Sequence, residues 1–464
     1  MDERKYWVWL SLCLGQGSMS AGMIINYFGT AREAYDAGYE EVAKCLHKDK
    51  AHIIKMLTKY SLENAEYIVE WCDAHRVRIL NVYDEDYPRS IKNQINLPLV
   101  LYAVGKIPRW NTDFSCAVVG TRKMTEYGKQ TAYDFGYDLA AGGAIVVSGM
   151  ALGVDGMAMA GALSAGGITV AVLGCGIDIC YPKAHRTLMK EVARTGVVIT
   201  EYPPASPPDG KHFPVRNRII SGISQATVVI EGDDNSGALI TANHAIYQGK
   251  AVFAVPGKIT DESSNGPNSL IKHGVPAATE ASDVLLEFSD IFDSINTNRL
   301  RRKYLSKNPE EYLDAAERYN ITSSLDKEKG YYGSGLYGGR DKNKYSPESI
   351  AARSVPVEER NILKQYSETH KNSSTEKNNT PKEEKKKTVS IDYTFVEDQH
   401  AKVYNAMKPN VPTLPDELAA QGFEISEVLV AMTMLEIAGA VEASPGGFFI
   451  RLGTEEITVP PKEE

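Results

Sequence analysis

Six short runs of β-branched and small apolar residues, at 116–119, 144–147, 169–173, 197–200, 227–230 and 251–255, constrain this chain more than any other feature. Between them lie stretches with apolar residues at helical spacing, over 126–141, 155–165, 184–194 and 237–248. Continuous apolar strands that alternate with helices predict a parallel sheet covered on both faces, because each crossover lays a helix on the sheet. The expectation is an α/β fold with a Rossmann-like, doubly wound, mostly parallel sheet, whose ligands bind outside the carboxyl ends of the strands.

The unusual residues fall at those ends. Gly120-Thr121-Arg122 follows the first strand and Ser148-Gly149 opens a glycine-rich loop after the second. Gly174-Cys175-Gly176-Ile177-Asp178 follows the third, with Lys183 beyond. The fourth strand leads through Glu201 to Lys211, and the fifth ends in Glu231-Gly232-Asp233-Asp234. Glycine lets backbone amides approach a ligand, and a helix N-terminus behind it adds partial positive charge, so a phosphate-bearing ligand is the economical inference. Tight strand-to-helix packing explains any one of these loops equally well. No third glycine follows Gly174 and Gly176 at dinucleotide-binding spacing, and no nucleoside-triphosphate loop is present. Asp155 stands at an expected helix start, where its carboxylate would cap free amides and compete with phosphate.

The stretch Phe213-Pro214-Val215-Arg216-Asn217-Arg218 concentrates the chemistry. Read as an extended or turning segment that enters the fifth strand, it puts Arg216 and Arg218 on one side, as paired forks suited to phosphate. An internal salt-bridge knot is the other arrangement these residues allow. With Arg122, Lys183 and Lys211, five cations converge on one sheet edge. The net charge of -9 means that any nucleic-acid site is a local groove and not a basic coat. The acids Asp178, Glu201, Glu231, Asp233 and Asp234 also lie at strand ends, but no nucleophile or histidine completes a catalytic set. His185, His212, His244 and His273 are isolated and read as surface or structural histidines. No catalytic residue, metal or cofactor is expected.

The 464 residues leave room for further domains. Residues 1–77 read as a small helical domain of the SAM or helix-hairpin-helix kind; its turn Gln16-Gly17-Ser18-Met19 carries no Lys or Arg, which favours packing over DNA contact. Residues 78–288 form the core, and 289–395 a polar, disordered linker with a helix near 309–318 and a basic patch at Lys385 to Lys387. Residues 396–455 read as three helices, at 398–404, 413–419 and 425–437, and a hairpin around Pro445-Gly446-Gly447, which make a winged helix. Its third helix carries Glu427 and Glu436 but no Lys or Arg, so a protein contact suits it better than a DNA groove. Six scattered cysteines without paired spacing fit a reducing cytoplasm. The charged start Met1 to Lys5, with no long apolar run, predicts neither signal peptide nor membrane span.

Taken in order, Val118-Val119-Gly120-Thr121-Arg122, Ser148-Gly149, Val172 to Asp178, Tyr181-Pro182, Glu201-Tyr202-Pro203, Phe213 to Ile220, Ser236 to Thr241, Val255-Pro256-Gly257 and Leu270-Ile271 resemble the bacterial DNA-processing protein A (DprA/Smf) family over about 79–285. The resemblance implies a single-stranded-DNA-binding core that protects incoming DNA and helps load the RecA recombinase in natural transformation, without enzymatic activity. It implies DNA contacts at Gly120, Thr121, Arg122, Ser148, Gly149, Lys183, Lys211, Phe213, Arg216, Asn217 and Arg218. A homodimer joined through Leu270, Ile271 and Val275 is also implied; these three could instead tuck under the helix expected at 283–288. Where the family usually carries an Arg in the second glycine loop and a His on the next helix, this chain has Leu152 and Met159, which favours binding over chemistry. The alternative is a Rossmann-like nucleotide hydrolase using Glu201 or Glu231.

Overall fold

In a computed structural model of the chain, residues 2–94, 96–234, 236–300, 309–321 and, with breaks, 398–452 are described. The chain divides into two compact units, Met1–Thr369 and His370–Glu464. Among the described residues no helix is long and apolar enough to cross a membrane, and the six cysteines are buried free thiols.

The first unit opens with five helices, α1 (Arg4–Leu14), α2 (Ser20–Phe28), α3 (Ala31–Cys45), α4 (Lys50–Leu57) and α5 (Leu62–Ala74). Their starts are written locally. The Thr30 hydroxyl accepts from the Glu33 N–H while Glu33 reaches back to the Thr30 N–H, Ser61 and Asn64 repeat that exchange, and Asp49 caps α4. Their apolar faces, with Trp7, Val8, Leu10 and Ile24 buried, belong to the same continuous core as the sheet.

The chain then alternates. In order come β1 (Arg78–Asn81), α6 (Arg89–Lys92), β2 (Val100–Gly105), β3 (Ser115–Val119), α7 (Glu126–Ala141), β4 (Ile145–Ser148), α8 (Val154–Ser164), β5 (Thr169–Leu173), α9 (Arg186–Thr195) and β6 (Val197–Thr200). They are followed by α10 (His212–Ile223), β7 (Ala226–Val229), α11 (Gly237–Tyr247), β8 (Ala251–Ala254), α12 (Asn265–Lys272), α13 (Ala281–Phe288) and α14 (Pro309–Arg318). The eight strands form one sheet in the order β1-β2-β6-β5-β4-β3-β7-β8. β3 to β8 are parallel, as their uninterrupted apolar runs require; β1 and β2 add an antiparallel margin beside β6.

The order reverses once. From β3 the chain steps outward through β4 and β5 to β6, then returns along α10 to β7, which pairs with the other side of β3. The carboxyl ends of β3 and β7 therefore lead away in opposite directions, which opens a crevice at that point of the sheet.

Two expectations for the first unit need correction. Residues 212–223 are a helix and not an extended entry to a strand; Ile219, Ile220 and Ile223 recur at helical spacing and bury the core face. The helix expected near 309–318 is present, but it is part of the core and not of a linker, because Ala315, Ala316, Tyr319 and Ile321 are buried in the main cluster. The stretches Tyr331 to Gly335 and Lys385 to Lys387 lie outside the described residues.

The second unit has α15 (Asp398–Ala406) and a three-stranded sheet of β9 (Pro412–Thr413), β10 (Val441–Ser444) and β11 (Phe448–Arg451) in the order β10-β11-β9. The hairpin pairs Val441 with Arg451 and Ser444 with Phe448. Thr413 pairs with Phe449 as strand and does not start a helix. Tyr404, Leu418, Val428, Met432 and Leu435 form the core, while Glu427 and Glu436 lie outside the described residues. Buried Arg451 closes the fold by donating to the carbonyls of Tyr404, at 3.3 Å, and Met407, at 3.0 Å, where the open end of α15 concentrates negative charge.

α7 and α8 pack backbone to backbone through small residues. A Cβ on Gly136 would stand 1.9 Å from the Ala158 carbonyl oxygen, and one on Gly161 would stand 2.1 Å from that of Tyr133. Neither oxygen can move without unseating its helix. Gly136→Ala should therefore lose about 3 kcal/mol to overpacking and regain about 1 from helix propensity, a net loss near 2 kcal/mol in chemical denaturation. An unchanged midpoint would show that the helices can separate.

Candidate nucleic-acid interface

α10 is the element that sorts the cationic residues. Successive residues on a helix are turned by about 100°, so residues three or four apart share a face and residues two apart do not. Phe213, Arg216 and Asn217 point one way; Val215 and Arg218 point the other.

Arg218 is buried and pairs with Glu201 at 2.7 Å, with 2% and 4% of the two side chains exposed, and its Nε donates to the Asn96 carbonyl at 3.1 Å. The internal salt bridge is thus right for Arg218 and wrong for Arg216. Arg216 spans the ends of the central strands. Its Nη1 donates to the carbonyls of Gly149, at 2.8 Å, and Val172, and its Nε to Asn217 Oδ1 at 3.1 Å; Asn217 in turn donates to the Gly237 carbonyl at 3.2 Å. Burial lowers the Arg216 guanidinium to about 10 while Asp155 opposes the fall, so the side chain is charged at neutral pH. Burial raises the Asp155 carboxyl, against the pull of Arg216.

Around Phe213 the site becomes aromatic and cationic. The Arg122 guanidinium lies 5.0 Å from the ring centroid and that of Arg216 lies 5.9 Å away, while Tyr181 stacks at 5.5 Å and 28°. These groups border an open cleft of about 550 Å³ at the crevice between β3 and β7, lined by Gly120, Thr121, Arg122, Phe213, Arg216 and Asn217. A recess of about 40 Å³ beside it is bounded by Gly149, Leu152, Tyr181 and Phe213. Leu152 thus adds an apolar wall, and Met159 is fully buried in α8.

Other expected contacts lie elsewhere. Ser148 is fully buried and its hydroxyl donates to the Val118 carbonyl at 2.7 Å, which removes it from the cleft surface. The Gly149 N–H donates to Asp155 Oδ2 at 3.1 Å, so Asp155 occupies the amide that a phosphate would need. Lys183, half-buried in the turn Lys183–His185, and exposed Lys211, just before α10, do not line the cleft. Leu270 and Val275 pack against the main core, whereas Ile271, on α12, is half-exposed.

The cleft also has residues that were not among the expected DNA contacts. Exposed Lys123 extends the Arg122 arm, and Ser236, Gly237 and Thr241 bring in the start of α11. The Ser236 hydroxyl caps that helix at 3.3 Å from the Ala238 N–H, and Ser-Gly at a helix start is the signal that points to it. Of the acids, Glu231 accepts from the N–H and hydroxyl of Thr125 at 2.9 and 2.5 Å, and Glu201 is held by Arg218. Asp178 accepts from the Ala205 N–H at 2.8 Å, and Asp233 lines the cleft. Among the described residues no group of three or more His, Cys, Asp or Glu side chains could hold a metal.

Residues 78–289 match a family model described as DNA recombination-mediator protein A, and residues 387–447 match the DprA winged helix domain. The DNA processing protein DprA of Bacillus subtilis is 36% identical over 214 residues, which cover 46% of this chain and 72% of that protein. The chain belongs to the DprA family. A DprA of Mycobacterium tuberculosis (strain H37Rv) is 43% identical over 194 residues, 40% of this chain and 49% of that one. The crystal structure of DprA from Streptococcus pneumoniae is 27% identical and covers 62% of this chain and 98% of its own, with a TM-score of 0.55. The DprA family thus accounts for both the sheet and the winged helix.

Behind the recess, His185 is fully buried with Nδ1 3.0 Å from the Met150 carbonyl, and burial lowers it from 6.5 to about 4. The folded form resists the proton that the unfolded chain accepts, so this contribution to stability is whole above pH 6.5 and lost as pH falls toward 4. The loss should amount to about 3 kcal/mol, and His185→Gln should flatten the fall between those pH values in denaturation midpoints. An equal fall in the variant would assign it to other groups.

Proposed function

We propose that the cleft binds single-stranded DNA and that the protein is a non-enzymatic recombination mediator, which protects incoming strands and helps load the RecA recombinase in natural transformation. The observation that carries this reading is Phe213, half-buried at the crevice with an exposed guanidinium over one side and a buried one beside it. A base that takes the place of Arg122 over the Phe213 ring frees the Arg122 fork for a neighbouring phosphate. Lys123 and the start of α11 add positive potential along the same cleft. Stacking on one ring and charge on mobile arms recognise a single strand without reading its sequence. The DNA-processing names of the relatives and the recombination-mediator description of the family support this assignment.

The hydrolase reading would use Glu201 or Glu231, and both carboxylates are engaged by other parts of the fold. Binding without turnover, in the cytoplasm, is the function we assign. Arg122→Ala should lower the slope of log affinity against log salt by about 0.7, one phosphate contact. Phe213→Ala should weaken single-strand binding by about 1–3 kcal/mol and leave that slope alone. Fluorescence anisotropy with an unstructured oligonucleotide at several salt concentrations measures both, and an unchanged slope for Arg122→Ala would remove it from the site.

We further assign a homodimer joined two-fold through α12, with the half-exposed Ile271 meeting its own copy. Two subunits would hold two strands in neighbouring clefts, which suits strand pairing. Ile271→Glu sets charges face to face across the axis and should give monomers in sedimentation that still bind DNA; a wild-type protein that sediments as a monomer at micromolar concentration would overturn the dimer.

A further inference from the structure

The face of α10 turned away from the cleft meets the N-terminal helices at the turn that holds Gly17. Between α1 and α2 the turn passes over α10, and the Gly17 N–H donates to Glu201 Oε1 at 3.2 Å. The same oxygen accepts from Arg218 Nη2 at 2.7 Å. A Cβ on Gly17, whose φ is +71°, would come within 2.7 Å of Val215 Cγ1, so the turn lies directly on the helix. Val215 and Arg218 are three residues apart and share this rear face; Phe213, Arg216 and Asn217 share the front.

The pair is buried yet incompletely satisfied. Arg218 Nη1 and Glu201 Oε2 both lack a hydrogen-bond partner. Desolvating two charges while leaving a donor and an acceptor unmade yields little net stability, so the geometry that the pair fixes is the better account of its presence.

We propose that Glu201 is a positioning residue for the DNA cleft, one carboxylate oxygen that locks the N-terminal turn and Arg218 together and so sets the orientation in which α10 presents Phe213, Arg216 and Asn217. The N-terminal helices are then part of the binding apparatus without touching DNA. This inference rests on the single-strand reading of the cleft.

Three variants of the full-length chain test it, each measured for hydrogen exchange of the α10 amides and for affinity toward an unstructured single-stranded oligonucleotide. Gly17→Ala pushes on Val215. Glu201→Gln keeps the shape but removes the charge. Gly15→Ala is the control: its φ of +77° imposes the same kind of backbone strain, but nothing lies within 4 Å of the added Cβ. Gly17→Ala and Glu201→Gln should speed exchange in α10 and weaken binding roughly tenfold at an unchanged salt slope, while Gly15→Ala binds as wild type. If Gly17→Ala does not fold, Glu201→Gln carries the test. Wild-type affinity and exchange in the folded Gly17→Ala and Glu201→Gln proteins, or an equal loss of affinity in Gly15→Ala, would overturn the inference alone. A wild-type protein that does not bind the oligonucleotide would overturn the single-strand reading and this inference with it.

Discussion

The guanidinium of Arg216 ties the ends of two neighbouring strands to the helix that carries it. It donates to carbonyls at the ends of β4 and β5 and to Asn217, which carries the chain of hydrogen bonds on to the start of α11. Hydrogen bonds to a charged donor contribute about 1.5–3 kcal/mol each, enough to offset much of the several kcal/mol that burial of the charge costs. These bonds fix the guanidinium in place, and its charge stands at the crevice whether or not a ligand is bound.

A fixed buried cation next to exposed ones divides the labour of binding. Arg216 cannot leave its carbonyls, so it supplies a standing potential; Arg122 and Lys123 are exposed and can follow a ligand. Their effect is local. The protein has a net charge of -9, but within a screening length of about 8 Å only nearby charges count. The crevice thus carries a local positive potential in a protein whose overall charge is negative.

The sequence was most legible where structure is local. The six apolar runs became β3 to β8 within a residue or two, because a strand buried on both faces must be apolar throughout. Helix starts at Thr30, Asp49 and Ser61 are set by capping chemistry within three residues, although the sequence reading did not single them out. The helix at 212–223 was missed because Pro214 and a short isoleucine-rich run read equally well as a loop entering a strand. The helix at 309–318 was legible, but its burial was not, since its partners lie on α7 and α8 far back in the chain.

The sequence by itself determined the fold class, the parallel strands and the winged-helix hairpin, since apolar period and loop composition are properties of neighbouring residues. Only the tertiary structure decided which cations face the cleft. Arg216 and Arg218 are chemically identical and two residues apart, and the turn of one helix sends the first to the crevice and the second to Glu201. Strand order decided the rest: by placing β7 beside β3 it brought Ser236 and Gly237 next to Arg122, more than a hundred residues away in the chain, and left Lys183 and Lys211 outside the cleft lining. No local pattern encodes that pairing, because it depends on where α10 returns across the sheet.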